Sequence, residues 1–234
     1  MPHPVLLAIE TSQRKGGVAL SDAKGVVHVE MLRESQRHDD DLMPAIDRLL
    51  TKAGLQPGDL EAVGLSIGPG GFTGLRIAIT TAKMLAETLE VKLIAVPSAL
   101  VATESHNPAL TGPILVALAS KGETSWLTKV DSTSGRWEIQ GKPGLMDAHQ
   151  LDLADITVLL GDHHVPEAIR KKCEGTPVPI VEPQFDPVAC LKVSLYQFAS
   201  GDISDPLTLR PLYPRPPEAV TLWDKRRKHC PDGQ

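Results

Sequence analysis

Aromatic residues are scarce in this chain. Three Trp, two Tyr and three Phe make up 3% of its 234 residues, too few for the stacking platforms on which single-strand binders lay successive bases. Positive charge is not in excess either. A formal net charge of −5 leaves no electrostatic footprint for nucleic acid, so any RNA in this protein's biology is expected to be handled by a partner. The three cysteines, Cys173, Cys190 and Cys230, form no C-x-x-C pair. That argues against a disulfide framework or a cysteine zinc site, and it fits a reducing cytoplasm. No apolar run approaches the roughly 18 residues that span a membrane. The start, Met1-Pro2-His3-Pro4, has neither a basic region nor a cleavage site, which predicts no secretory signal.

Catalytic signatures are missing too. No Gly-Lys-Ser/Thr follows the glycine-rich turn, so there is no P-loop, and no G-x-S-x-G elbow is present. Neither Cys173 nor Cys190 has an activating histidine nearby in sequence, and Cys230, which follows His229, stands in the basic tail. No H-x-E-x-H or H-x-x-x-H spacing exists, so no two histidines share a helical face as metal ligands. His163-His164, and His38 ahead of Asp39-Asp40-Asp41, read as surface residues. No metal, no cofactor and no catalytic residue is expected.

What is present centres on Leu65 to Glu90. An apolar strand, Ala62 to Ile67, turns through Gly68-Pro69-Gly70-Gly71 into a helical pattern. Leu75, Ala78, Ile79, Ala82, Leu85, Ala86 and Leu89 recur at steps of three and four, and Thr73 is the expected N-cap. Such a turn suits an anion at a helix start, and it equally suits tight helix-on-sheet packing. Before it, Val5–Ile9, Gly16–Leu20 and Val26–Leu32 read as three strands, and Asp41–Ala53 as a helix striped by Leu42, Ile46, Leu49, Leu50 and Ala53. After it, Leu93–Val96 is a strand and Pro97–Ser98 opens a short helix. The order β-β-β-α-β-α-β-α is that of the ribonuclease H-like core of the actin-like ATPase fold, an α/β class. Glu10-Thr11-Ser12 stands where that fold carries an acidic residue and a polar turn for metal and phosphate. Glu10 is either a catalytic acid after a buried strand or a turn cap.

At 25.2 kDa the chain can bury a sizeable core as two lobes. Asn107-Pro108 to Pro113 marks the expected boundary, dividing residues 1–107 from a reduced second lobe, 108–216. In the latter, Ile114–Ala119, Ser125–Val130, Trp137–Ile139, Thr157–Leu160 and Val178–Val181 read as strands, Val165–Cys173 and Pro187–Ser200 as helices, and Gly141–Leu153 as irregular. Residues 217–234 form a basic tail whose run Lys225-Arg226-Arg227-Lys228-His229 is either solvated or a phosphate contact.

The string Gly68-Pro69-Gly70-Gly71-Phe72-Thr73-Gly74-Leu75-Arg76 resembles the G-P-G-S-F-T-G-[LV]-R signature of the bacterial TsaB (YeaZ) family, partners in making threonylcarbamoyladenosine in tRNA. Leu7-Ala8-Ile9-Glu10-Thr11-Ser12 is similar to its opening L-A-I-D-T-S, and Tyr213-Pro214-Arg215 falls in a segment similar to P-x-Y-L-R-x-x-x-A. The family's D-A-R-x-G-E-V-Y is reduced to Gly122-Glu123. The resemblance implies a two-lobed actin-like fold with a degenerate nucleotide site, its remnant phosphate loop being Glu10, Thr11 and Ser12. It also implies a non-catalytic scaffold in the cytoplasm. That scaffold pairs with TsaD, or with a second copy as a homodimer when TsaD is absent, works with TsaE and TsaC, and meets tRNA only through the complex. The implied interface lies on helices 41–53 and 74–89, at Leu42, Ile46, Leu49, Phe72, Leu75, Ala78, Ile79, Ala82 and Leu85. A nucleotide-dependent small-molecule kinase of the same superfold is the alternative, with Leu160-Gly161-Asp162 as its candidate adenosine motif.

Overall fold

The computed structural model describes residues 3–33, 38–106, 109–133 and 135–215. The tail 217–234, with its basic run and Cys230, lies outside the described residues, as do Asn107 and Pro108 at the expected boundary and the side chains of His38 and Asp39.

Two five-stranded sheets carry the fold. In the first, β1 (Leu6–Glu10), β2 (Gly17–Ser21) and β3 (Val27–Met31) form an antiparallel meander, and β4 (Ala62–Gly68) and β5 (Lys92–Pro97) add in parallel beside β1, giving the order β3-β2-β1-β4-β5. The second sheet repeats that plan. There β6 (Ile114–Lys121), β7 (Thr124–Thr133) and β8 (Arg136–Met146) make the meander, and β9 (Val158–Gly161) and β10 (Ile180–Val181) are parallel to β6. This is the two-lobed actin-like arrangement, with a ribonuclease H-like sheet in each lobe.

Every residue of β1 and β2 is buried because both faces of the first sheet are covered. Side chains alternate along a strand. Leu7, Ile9, Val18, Leu20, Val63 and Leu65 therefore share one core with helices α1 (His38–Ala53) and α2 (Phe72–Leu89). Leu6, Ala8, Ala19, Ala62, Ile94 and Val96 point the other way, into a core with α3 (Ser98–Ser105) and α5 (Pro187–Ala199). That second core also contains Ile114, Val116, Leu118 and Trp137 from the second sheet, so α3 and α5 lie between the sheets. Outside the second sheet, α4 (Glu167–Glu174) closes a third, smaller core with Ile169 and Cys173.

The expected elements stand, with shifted ends. One difference is larger. β8 runs on through Pro143 and Gly144, a stretch that reads as irregular in the sequence. It is an edge strand with a register shift opposite Leu127–Lys129, where a proline costs no ladder bond. A second difference concerns the chain's path. From Pro187 it returns to the first sheet: α5 packs on it, Ser204 bridges to Leu93, and Leu212 N donates to Ile67 O at 2.7 Å. Gly64 shows how closely α5 approaches, since a Cβ there would sit 1.9 Å from Ser194 Oγ. Among the described residues no helix is long and apolar enough to cross a membrane.

Candidate functional site

The turn after β4 and the turn after β1 meet at the parallel strand ends, where sheets of this kind hold their ligands. Here the two turns fill each other's space. Gly71 N donates to Ser12 O at 2.7 Å, and Thr11 Oγ1 donates to Gly74 O at 2.9 Å. A Cβ on Gly70 would lie 2.3 Å from Ser12 O, so the absence of a side chain there makes room for the chain's own carbonyl. Gly71, and not Thr73, is the N-cap of α2, because the helix starts two residues earlier, against Ser12. Thr73 lies inside the helix with its side chain exposed.

Glu10, Thr11 and Ser12, expected as a remnant phosphate loop, are each at most 1% exposed. Glu10 Oε1 accepts from Ser12 N at 2.7 Å, and Ser66 Oγ bonds Oε2. Burial raises the Glu10 carboxyl above its ordinary range, outweighing the Ser12 and Ser66 hydrogen bonds that lower it. Its carboxyl faces inward, hydrogen-bonded to Ser12 and Ser66. Next to it, burial pushes the Cys190 thiol far up, and the nearby Glu10 adds to that effect, so neither cysteine within the described residues offers a thiolate: Cys173 too is raised by burial.

The matching turn of the second lobe is also filled. Ala119 adopts a left-handed φ of 50° at the end of β6, which an alanine holds only at a cost. The Arg215 guanidinium lies over it, donating to Ala119 O, to Thr124 O at 3.1 Å and to Thr124 Oγ1 at 2.7 Å. Between the lobes remains an open cleft of about 1230 Å³ whose walls include Arg14, Lys15, Ser120, Asp162, His163, His164 and Glu182.

The expected partner residues need correcting. Leu42, Ile46, Leu49, Leu75, Ala78, Ile79, Ala82 and Leu85 are each no more than 6% exposed, and all but Leu75 are members of the core between the first sheet and the α1–α2 pair. The small residues Ala78 and Ala82 let α2 sit close to its own neighbours; they are not a surface groove. Of the nine, only Phe72 is exposed, at 45%. The outward face of the pair carries residues that the stripe does not include: Met43 and Pro44 on α1, and Thr73, Arg76, Thr80 and Met84 on α2, with Ile77 half-buried beside them. Met43 and Met84 are 41% and 46% exposed. Their signal in the sequence is an apolar residue off the apolar stripe. At the start of α2, Arg76 lies 3.8 Å over the Phe72 ring, Phe72 stacks on Tyr213 at 5.2 Å, and Arg76 Nε donates to Tyr213 Oη at 3.0 Å. Asp41, at the opening of α1, is buried; burial would raise it, but Arg48 and the backbone N–H of Arg33 outweigh that and hold it below the usual range.

A family model described as TsaD: tRNA N6-adenosine threonylcarbamoyltransferase matches residues 22–182, more than half of the chain. The chain is 36% identical over 114 residues to the tRNA threonylcarbamoyladenosine biosynthesis protein TsaB of Bacillus subtilis (strain 168), a match covering 48% of this chain and 50% of that one. The chain belongs to the TsaB (YeaZ) family. TsaB of Escherichia coli (strain K12) is 29% identical over 135 residues, 56% of this chain and 58% of that one. The chain thus spans about half the length of these curated TsaB relatives. The fold agrees more widely. YeaZ from Pseudomonas aeruginosa superposes with a TM-score of 0.74 at 21% identity, covering 90% of this chain and 99% of that one. A structure described as similar to peptidase YEAZ, from the same organism, gives 0.77 at 21% identity over 91% of this chain. In this TsaB-family chain the glycine signature packs against Ser12.

Proposed function

We propose that this chain is a non-catalytic subunit that binds and supports TsaD as it threonylcarbamoylates the adenosine 3′ to the tRNA anticodon. The reading is carried by one observation: the place where a working nucleotide site would hold phosphate is taken up by the chain itself. The Ser12 carbonyl sits under Gly70 and Gly71, and Glu10 is sealed behind them, its proton affinity raised by burial. A kinase of this superfold needs that carboxylate open to its metal and phosphate, whereas Glu10 is fully buried, so the alternative loses its main support.

The partner surface belongs to the outward face of α1 and α2, through Met43, Phe72, Ile77 and Met84 with Arg76 at their edge. Methionines adapt their shape to a partner, and Phe72 and Arg76 are of the types that anchor interfaces. TsaD meets this face in a heterodimer, with TsaE joining a larger cytoplasmic complex; without TsaD a second copy covers it. tRNA is bound only by the complex. The test is a turnover assay with threonine, bicarbonate, ATP, tRNA, TsaC, TsaD and TsaE, with and without this chain. It is expected to stimulate TsaD and to be inert without it. Modification by this chain in the absence of TsaD, surviving repurification, or no effect on TsaD at all, would overturn the proposal.

A further inference from the structure

The second lobe offers a cluster that the scaffold reading does not use. The parallel strand β9 ends at Gly161, and the chain turns at once through Asp162, His163 and His164 on its way to α4. Two histidines adjacent in an extended chain point to opposite sides. The turn reverses that. The two imidazole rings lie 3.9 Å apart, His164 Nδ1 is 3.1 Å from Asp162 Oδ2, and one ligand atom from each of the three residues falls within 4.8 Å of the others. All three line the cleft between the lobes, with Asp162 half-buried and both histidines exposed.

The turn is braced from beneath. Val165 N donates to Asp162 O at 3.2 Å, closing a four-residue turn, and Val165 itself is buried. Arg170 of α4 reaches back to donate to Asp162 O through Nη2 and to Val165 O through Nε at 3.0 Å. Two carbonyls are thereby fixed by one guanidinium, so the ligand-bearing residues start from a held backbone. A metal ion then has less conformational entropy to remove.

We propose that Asp162, His163 and His164 form a transition-metal site at the wall of the cleft, suited to Zn2+, with a further coordination position open to the cleft. Two imidazole nitrogens and one carboxylate oxygen are a donor set that Zn2+ accepts, whereas Mg2+ and Ca2+ want oxygen alone. The absence of H-x-x-x-H spacing does not count against it, because that rule concerns helices and these ligands lie on a turn.

The experiment is calorimetric titration of ZnCl2 into the full chain after stripping with chelator, beside the variants His163→Ala/His164→Ala and Asp162→Asn. All three side chains are at the surface, so thermal melts of the metal-free proteins are expected to coincide. The parent is expected to take up one equivalent. Asp162→Asn is expected to weaken uptake at least tenfold, and the double variant to abolish it. MgCl2 should give no heat of binding. Co2+ in place of Zn2+ is expected to show ligand-field bands that the double variant lacks. Equal zinc uptake by parent and double variant, or no uptake by the parent at about 1 mM zinc, would overturn the site. Should the double variant fail to fold, the Asp162→Asn titration and the cobalt spectrum of the parent decide it.

Discussion

Replacing Glu10 by Gln separates a sealed structural acid from a working ligand. Its carboxyl is fully buried and its proton affinity is raised, burial being the largest cause. Below the ordinary value of 4.5 both folded and unfolded chains hold the proton, so Glu10 then makes no pH-dependent difference to stability. As pH rises through that value the unfolded chain ionises while the folded one stays neutral. The parent therefore loses about 1.4 kcal/mol per pH unit from this group until pH reaches the raised folded value, and the loss is constant above it. Gln does not titrate. Its carboxamide oxygen can take the Ser12 N–H now 2.7 Å from Oε1, and its amide can donate to Ser66 Oγ. Urea melts of parent and Glu10→Gln at pH 5, 6, 7 and 8 should show the variant gaining on the parent as pH rises, by about 1.4 kcal/mol per unit at first. TsaD-dependent modification should stay within about threefold, equivalent to ~0.7 kcal/mol. A stability gap independent of pH, or a hundredfold loss of modification with assembly intact, would refute the reasoning and make Glu10 an ionised ligand.

Four further substitutions test the packing. Ala82→Arg places a charge in a site with no exposure and should collapse the isolated fold, whereas Met84→Arg, on the exposed face, should keep the melting temperature and weaken TsaD binding at least tenfold, about 1.4 kcal/mol, by calorimetry; a stable Ala82→Arg or an unchanged affinity of Met84→Arg would count against the assigned faces. Gly70→Ala sets a Cβ 2.3 Å from a backbone oxygen, and thermal or urea unfolding should report a loss of about 1–3 kcal/mol; an unchanged melt would mean the two turns do not interlock. Arg215→Ala takes its donors from the carbonyls of Ala119 and Thr124, so hydrogen exchange across 119–124 should speed up with a stability loss of about 1 kcal/mol. Equal exchange rates would show that Arg215 does not hold that turn.

Local pattern carried the elements, because burial on one face leaves its period in the sequence. The stripes of α1 and α2, the short apolar runs of β1 and β4 and the punctuation of Gly68 to Gly71 were all legible, and with them the order of the first lobe and the family signature. Which surface each stripe meets was not. Leu42, Ile46 and Ala82 were expected at the interface, since an apolar side chain carries no mark of what covers it; the sheet beneath them makes them core, and leaves Met43, Phe72 and Met84 outside. The turn chemistry was likewise open. A glycine run suits an anion or a carbonyl, and the choice rests on Ser12, more than fifty residues earlier, arriving at Gly70 through the β1–β4 pairing. The adjacent His163 and His164 read as surface residues because spacing rules describe helices, while a turn held by Arg170 brings them together with Asp162. The sequence by itself determined periodicity and punctuation, which are properties of neighbours along the chain. The tertiary structure alone decided what each face touches, because contacts such as Ser12 with Gly70 and Arg215 with Ala119 join residues far apart in the chain, and no local pattern encodes their meeting.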